Sequence, residues 1–223
     1  MLPFRDRLES EDDLRALVTA PPPDARPWQK EIPALDDHCR AFIAHSPFLV
    51  LATAGPDGRC DAAPRGGPPG FVKVLDDHRL AFGDLPGNRR QDSHRNLIAT
   101  GRAALLFMVP GRGETLRVNG RACLTRDPEV LDAVTLDGGR PTLAFGMRVE
   151  VAFLHCAKAL LRSRLWSPDE WLGLDALPSS AAMLRDHVSN GVTLEGVEEA
   201  LRDSYGTTMW WSRDGSPTGQ ANH

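Results

Sequence analysis

Hydrophobic and polar positions divide the chain into a strand-rich middle and helical flanks. Pro47-Phe48-Leu49-Val50-Leu51-Ala52-Thr53 is an apolar run of strand length, Gly55-Pro56-Asp57-Gly58 is a turn, and Arg59-Cys60-Asp61-Ala62-Ala63-Pro64-Arg65 returns, so the three predict a hairpin. After the glycine- and proline-rich loop 66–70, Phe71-Val72-Lys73-Val74-Leu75 turns through Asp76-Asp77-His78-Arg79 into Leu80-Ala81-Phe82, a second hairpin. Ala103 to Val109 and Leu116 to Ala122 predict two further strands. The strongest alternation lies in Leu143 to Phe153, where Leu143, Phe145, Met147, Val149, Val151 and Phe153 are expected on one face and Arg148 and Glu150 on the other.

Helical spacing appears at the flanks. Leu14, Leu17 and Val18 predict a short amphipathic helix that stops before Ala20-Pro21-Pro22-Pro23, where consecutive prolines favour an extended connector. Leu35, Cys39, Phe42 and Ile43 form a helical stripe expected to pack on the sheet, with His38 and His45 flanking it as surface or interface residues. Asp127-Pro128-Glu129 begins another short helix. His155 to Trp166 is a basic segment with one aromatic residue. Residues 167–211 read as helical packing elements closed by Trp210 and Trp211, and 212–223 as a polar tail. The expected organisation is a connector over 1–34, a β-rich domain over 35–166, a helical extension packed on it over 167–211, and the tail.

One segment carries candidate chemistry. Leu85-Pro86-Gly87-Asn88-Arg89-Arg90-Gln91-Asp92-Ser93-His94 places a glycine turn and two adjacent arginines at the start of a predicted helix. Helix N-terminal N–H groups have no intrahelical partner and carry partial positive charge, and arginine adds charge-assisted donors beside them. A phosphate would satisfy all of them. A solvated basic turn has the same sequence, so the segment leaves both readings open.

Composition narrows the alternatives. The formal charge of -4 argues against a general nucleic-acid binder, and 41% hydrophobic content is ample for a core. No apolar run is long enough to cross a bilayer and Met1-Leu2-Pro3-Phe4-Arg5-Asp6 lacks a signal-peptide core, so a cytoplasmic protein without membrane contact is expected. Cys39, Cys60, Cys123 and Cys156 form no Cys-x-x-Cys pair and are expected as buried free thiols. No histidine pair has metalloprotease spacing and no Gly-x-Ser-x-Gly occurs, so neither a metal site nor a serine hydrolase is expected.

The order Ser46-Pro47-Phe48, Pro64-Arg65-Gly66-Gly67, Phe71-Val72-Lys73, Gly87-Asn88-Arg89-Arg90, Pro110-Gly111 and Arg117-Val118-Asn119-Gly120 resembles the pyridoxamine 5'-phosphate oxidase-like, FMN-binding split-barrel superfamily, over roughly residues 35–166. The resemblance implies a mainly β (α+β) fold, an antiparallel split β-barrel with peripheral helices. It implies FMN as cofactor, with its phosphate on Asn88, Arg89 and Arg90, with Phe71, Val72, Lys73 and Arg65 near the phosphate, ribityl chain or ring edge, and with Arg117 as a weaker neighbour. It further implies a homodimer with flavin sites at the interface, where Lys158, Arg162 and Trp166 approach the partner's cofactor. The implied activity is hydride transfer through flavin N5 to or from a small molecule, for which no catalytic acid or base is assigned. A non-enzymatic FMN- or haem-binding carrier or sensor is the alternative. The C-terminal substrate signature of true pyridoxamine 5'-phosphate oxidases has no convincing match in Tyr205 to His223, so pyridoxamine 5'-phosphate is expected to be a poor substrate.

Overall fold

The uninterrupted apolar run becomes β1 (Phe48–Ala54) and returns antiparallel as β2 (Cys60–Gly66). The second hairpin forms β3 (Val72–Asp76) and β4 (Arg79–Gly83). With β5 (Arg102–Met108), β6 (Thr115–Thr125) and β7 (Ala144–His155) they complete one antiparallel sheet of order β2-β1-β5-β6-β7-β4-β3. This computed structural model describes residues 4–137, 139–188 and 191–209. Trp210, Trp211 and the polar tail lie outside them.

The sheet does not close, since β2 and β3 are its edges, but it curls strongly. Arg65 on β2 and Phe145 on β7 are four strand steps apart, about 19 Å in a flat sheet. The guanidinium carbon of Arg65 nevertheless stands 5.2 Å from the Phe145 ring centroid. Inside this curl lies the core, where Leu49, Leu51, Phe107, Val118, Met147 and Phe82 meet two helices. Helix α3 (Asp37–His45), capped by the Asp36 carboxylate accepting from Cys39 N–H at 2.8 Å, contributes the buried Cys39 and Ile43. Helix α4 (Asp92–Thr100) contributes Leu97. The expected stripe of α3 is therefore realised, while His38 and His45 are exposed. Ser46 is fully buried, with its hydroxyl 2.7 Å from both the Phe48 and Met108 carbonyl oxygens, joining the start of β1 to the end of β5.

The expected single face of β7 breaks in the middle. Phe145, Met147 and Val149 point into the core, but the register shifts at Asn119/Gly120 so that Asn119 faces Val151 and Gly120 faces Val149, leaving Glu150 extra. This bulge reverses the phase: Ala152 is buried, whereas Val151 and Phe153 turn to the outer face. Gly120 permits it. A Cβ there would stand 2.0 Å from the Arg148 carbonyl oxygen. Beyond the bulge, Ile32 exchanges two backbone hydrogen bonds with Ala152, at 3.0 and 2.8 Å, and ties the N-terminal segment to the sheet.

Helix α1 (Glu11–Leu17) forms with a Ser10–Asp13 capping box, but Leu14, Leu17 and Val18 are exposed, so its stripe has no core to join. Helix α2 (Arg26–Gln29) follows the proline connector. Helix α5 (Pro128–Ala133), short as expected, buries Leu131 against Ala81, Val134 and Ala144 on the outer side of the sheet. Helix α6 (Lys158–Ser163) follows β7, and α7 (Ser180–His187) and α8 (Leu194–Thr208) pack on one another. Of the four cysteines only Cys39 is buried, and burial pushes its thiol up to about 12; Cys60, Cys123 and Cys156 are exposed, because they occupy outward positions of their strands or the end of one.

Replacing Gly120 with alanine forces β6 and β7 apart at the bulge and is expected to destabilise the protein by about 2–3 kcal/mol, lowering Tm by roughly 4–10 °C. Gly146→Ala, whose Cβ meets nothing nearer than the Cys123 sulfur at 3.7 Å, is the comparison and should leave the thermal melt within about 2 °C.

Candidate functional site

The basic turn leaves β4 at Gly83 and enters α4 at Asp92. Its glycine is not the strained position: the left-handed residues are Arg89 (φ 55°) and Gln91 (φ 63°). A non-glycine residue pays roughly 1–2 kcal/mol for that conformation. What results is a left-handed Gln91 directly preceding a right-handed helix, a backbone sequence of the kind that turns successive N–H groups toward one side. No side chain caps α4 there. Asn88 Oδ1 accepts from Arg90 N–H at 3.1 Å, and Arg90 Nε donates to Asp92 at 2.8 Å, a pair that pushes the exposed guanidinium's pKa up. The side chains of Asn88, Arg89 and Arg90 are exposed.

Beneath the turn lies a half-buried polar cluster. Ser93, 2% exposed, donates to Asp61 at 2.5 Å and sits 3.4 Å from Arg65 Nη2. Arg65 also donates to the Pro64 carbonyl at 3.1 Å. Burial pushes the Arg65 pKa down, and the charges of Asp84 and Asp61 oppose that shift. His94 Nε2 lies 3.1 Å from Asp84, and its ring centroid is 5.0 Å from that of Phe145. Arg65 Nε and His94 Nδ1 are buried without a partner, so the cluster retains polar valences that a bound polar group could take up. Ser93, Asp61, Asp84 and His94 were not singled out from the sequence. The signal for Asp61 was its spacing from Arg65 on one strand face, but the register with β1 and the curl of the sheet decide what that face meets.

Arg65, Asn88, Arg89 and Arg90 thus gather at the α4 N-terminus. The other expected cofactor residues are placed elsewhere. Phe71 and Val72 are 2% and 3% exposed and belong to the core, Phe71 packing edge-on to Phe82 at 6.2 Å, so their side chains are spent on packing. Lys73 pairs in register with Ala81, two residues before the turn begins, but points to the outer face, opposite to Arg65. Arg117 is also on the outer face, 5.1 Å above the Phe153 ring, which Lys30 approaches at the same distance. Lys158 and Arg162 are exposed on α6, and Trp166 donates to the Arg112 carbonyl at 2.8 Å. These three follow the end of β7, whereas the turn follows the β4 terminus paired with the start of β7; the 12 residues of β7 span roughly 36 Å. Within one chain they do not meet the arginine turn.

Among the described residues no group of histidine, cysteine and carboxylate side chains is arranged to hold a metal, and no helix is long and apolar enough to cross a membrane.

The family model described as pyridoxamine 5'-phosphate oxidase matches residues 35–156, more than half of the chain. The curated proteins contain no match. Solved structures with a similar fold include HupZ of Group A Streptococcus (16% identity, 53% of this chain and 92% of that one, TM-score 0.45). A Clostridium acetobutylicum protein related to general stress protein 26, of the pyridoxinephosphate oxidase family, is 13% identical over 53% of this chain and 86% of its own, with TM-score 0.40. An FMN-binding protein from Syntrophomonas wolfei is 12% identical over 52% and 82%, with TM-score 0.39.

Arg65→Met keeps an unbranched apolar side chain at this position but removes the guanidinium that stands over Phe145 and its charge beside Asp61 and Asp84. Chemical denaturation is expected to show a loss of about 1–3 kcal/mol at neutral pH, against less than about 0.5 kcal/mol for Arg59→Met in the exposed β1–β2 turn.

Proposed function

Because the chain belongs to the pyridoxamine 5'-phosphate oxidase family, we propose that it is an FMN-dependent oxidoreductase whose cofactor phosphate sits at the N-terminus of α4. The observation that carries this reading is the left-handed Arg89 and Gln91, which place two exposed arginines in a strained turn directly before an uncapped helix N-terminus. Strain of this kind persists where the surrounding structure over-determines it, and it clusters at ligand clamps. Bound FMN would supply hydride transfer at its N5, a step that needs no dedicated acid or base from the protein.

The chain's own groups have separable tasks. Arg89 and Arg90 hold the phosphate, with Asp92 keeping the Arg90 guanidinium beside it. Arg65 and Ser93 support the first turn of α4 from below. Lys73, on the outer face near the root of the turn, serves the remainder of the flavin.

We also propose that the protein is a homodimer through the outer sheet face. There Phe48, Val50, Leu106, Met108 and Val151 are only half-buried on the side away from α3 and α4. A partner seated on that face would bring its Lys158, Arg162 and Trp166 within reach of this chain's flavin, which the length of β7 prevents within one chain.

Arg89→Ala/Arg90→Ala is expected to weaken FMN binding by roughly 10²- to 10⁴-fold in fluorescence titrations while changing riboflavin affinity little, because riboflavin lacks the phosphate. An equal small effect on both ligands, or a purified protein that neither carries nor takes up flavin, overturns the assignment. Sedimentation should show a dimer for the wild type and a monomer for Leu106→Glu, which sets a charge in the middle of the apolar face. A monomeric wild type that binds FMN fully refutes the composite site.

A further inference from the structure

The outer face carries an arrangement that neither the core nor the arginine turn explains. Arg102 on β5 faces Arg121 on β6, Arg121 faces Arg148 on β7, and Arg148 faces Arg79 on β4. Four arginines therefore stand side by side in one cross-strand row, spanning three strand gaps or about 14 Å. Like charges directly opposite on neighbouring strands are destabilising. Partial neutralisation comes from Glu150, the extra residue of the bulge, whose carboxylate lies 2.9 Å from Arg102 and 3.6 Å from Arg121, and from Asp76, 2.6 Å from Arg79. Arg148, between two other arginines, has no ion pair among the described residues. Two positive charges remain unmatched.

Beside this row, two residues further along each strand, lies a row of small side chains: Ala81, Gly146 and Cys123, again in register. Gly146 and Cys123 floor a cleft of about 310 Å³ walled by Leu75 and Val130, with Arg79, Arg121 and Arg148 on its rim, while Ala81, fully buried beneath α5, closes one side. A flat apolar floor beside a bank of planar cations suits a ring bearing phosphates. The row is too short to track a nucleic-acid strand and is bounded by the Glu150 and Asp76 pairs at its two ends.

We propose that this face binds a nucleoside phosphate, with its phosphates on Arg121, Arg148 and Arg79 and its ring system on the Gly146–Cys123 floor, two strands away from Lys73. The site is separate from the flavin-phosphate turn and stands whether or not that turn holds FMN. Arg148 is the central ligand, since its guanidinium alone has no competing carboxylate. Gly146 keeps the floor open.

Calorimetric titration of the full-length protein, carried out with and without saturating FMN, tests this with ADP and inorganic pyrophosphate as probes. Both should bind, ADP more tightly by roughly tenfold or more because its base adds apolar burial. Arg148→Ala should weaken both by roughly 10- to 100-fold, and Arg59→Ala neither. Gly146→Val, whose fold is checked by circular dichroism, should keep pyrophosphate affinity and lose the advantage of ADP. No binding of either probe at millimolar concentration, equal losses in Arg148→Ala and Arg59→Ala, or mutual displacement of ADP and FMN overturns the site. An ADP advantage that survives Gly146→Val, or pyrophosphate binding as tightly as ADP in the wild type, overturns the nucleoside assignment.

Discussion

The contact on which the rest of this structure depends is the approach of β2 to β7 around Phe145. Sheet twist alone does not bring two strands four steps apart within van der Waals range; the curl is held where the Arg65 guanidinium, the Phe82 ring and the His94 ring all meet Phe145. The Phe82 ring stacks on it at 4.9 Å, the Arg65 cation reaches it from β2 and the His94 ring from α4. A planar cation over an aromatic face keeps its attraction when partly desolvated, and its two terminal nitrogens donate to Pro64 and Ser93. Burial of the charge is offset by Asp61 and Asp84 on either side. This arrangement fixes where α4 begins, and therefore where the strained turn presents its N–H groups.

The second constraint is the bulge at Gly120. Without it, all five alternating apolar residues of β7, Phe145 to Phe153, would face the core. With it, Val151 and Phe153 join the outer face, and Glu150 is released to bridge two arginines. One backbone irregularity, possible only because Gly120 has no Cβ, thus supplies apolar surface to the lower part of the outer face and sets the charge balance of the upper part. The two faces divide the labour. The inner one holds the core and, at its mouth, the α4 turn; the outer one carries a half-buried apolar patch and a row of arginines.

The distribution of strain follows the same division. Arg89 and Gln91 adopt left-handed conformations in an exposed turn, where nothing in core packing demands them. Gly87, the residue best able to adopt that conformation, does not. The conformational energy of this turn is thus spent at Arg89 and Gln91 rather than at its glycine.

The periodicity of side chains was enough to locate nearly every strand and helix, because each buries one face and the pattern of that face is written locally. Both hairpins, the short α5 and the α3 stripe were legible for this reason, and ordered motifs were enough to indicate the split-barrel family. The turn at Asn88, Arg89 and Arg90 was legible too, since helix-start chemistry is local. Tertiary structure decided what no local pattern contains. Alternation along β7 could not reveal the bulge, because the clash that requires it lies between Gly120 and Arg148 on different strands. Arg65 and Lys73 look equivalent as basic residues near a glycine loop, yet register and curl send them to opposite faces. The arginine row is invisible along the chain because its four members are separated by 23, 19 and 27 residues and become neighbours only through strand pairing. Sequence determines which face a residue takes within its own element; only the pairing of elements determines which other residues share that face.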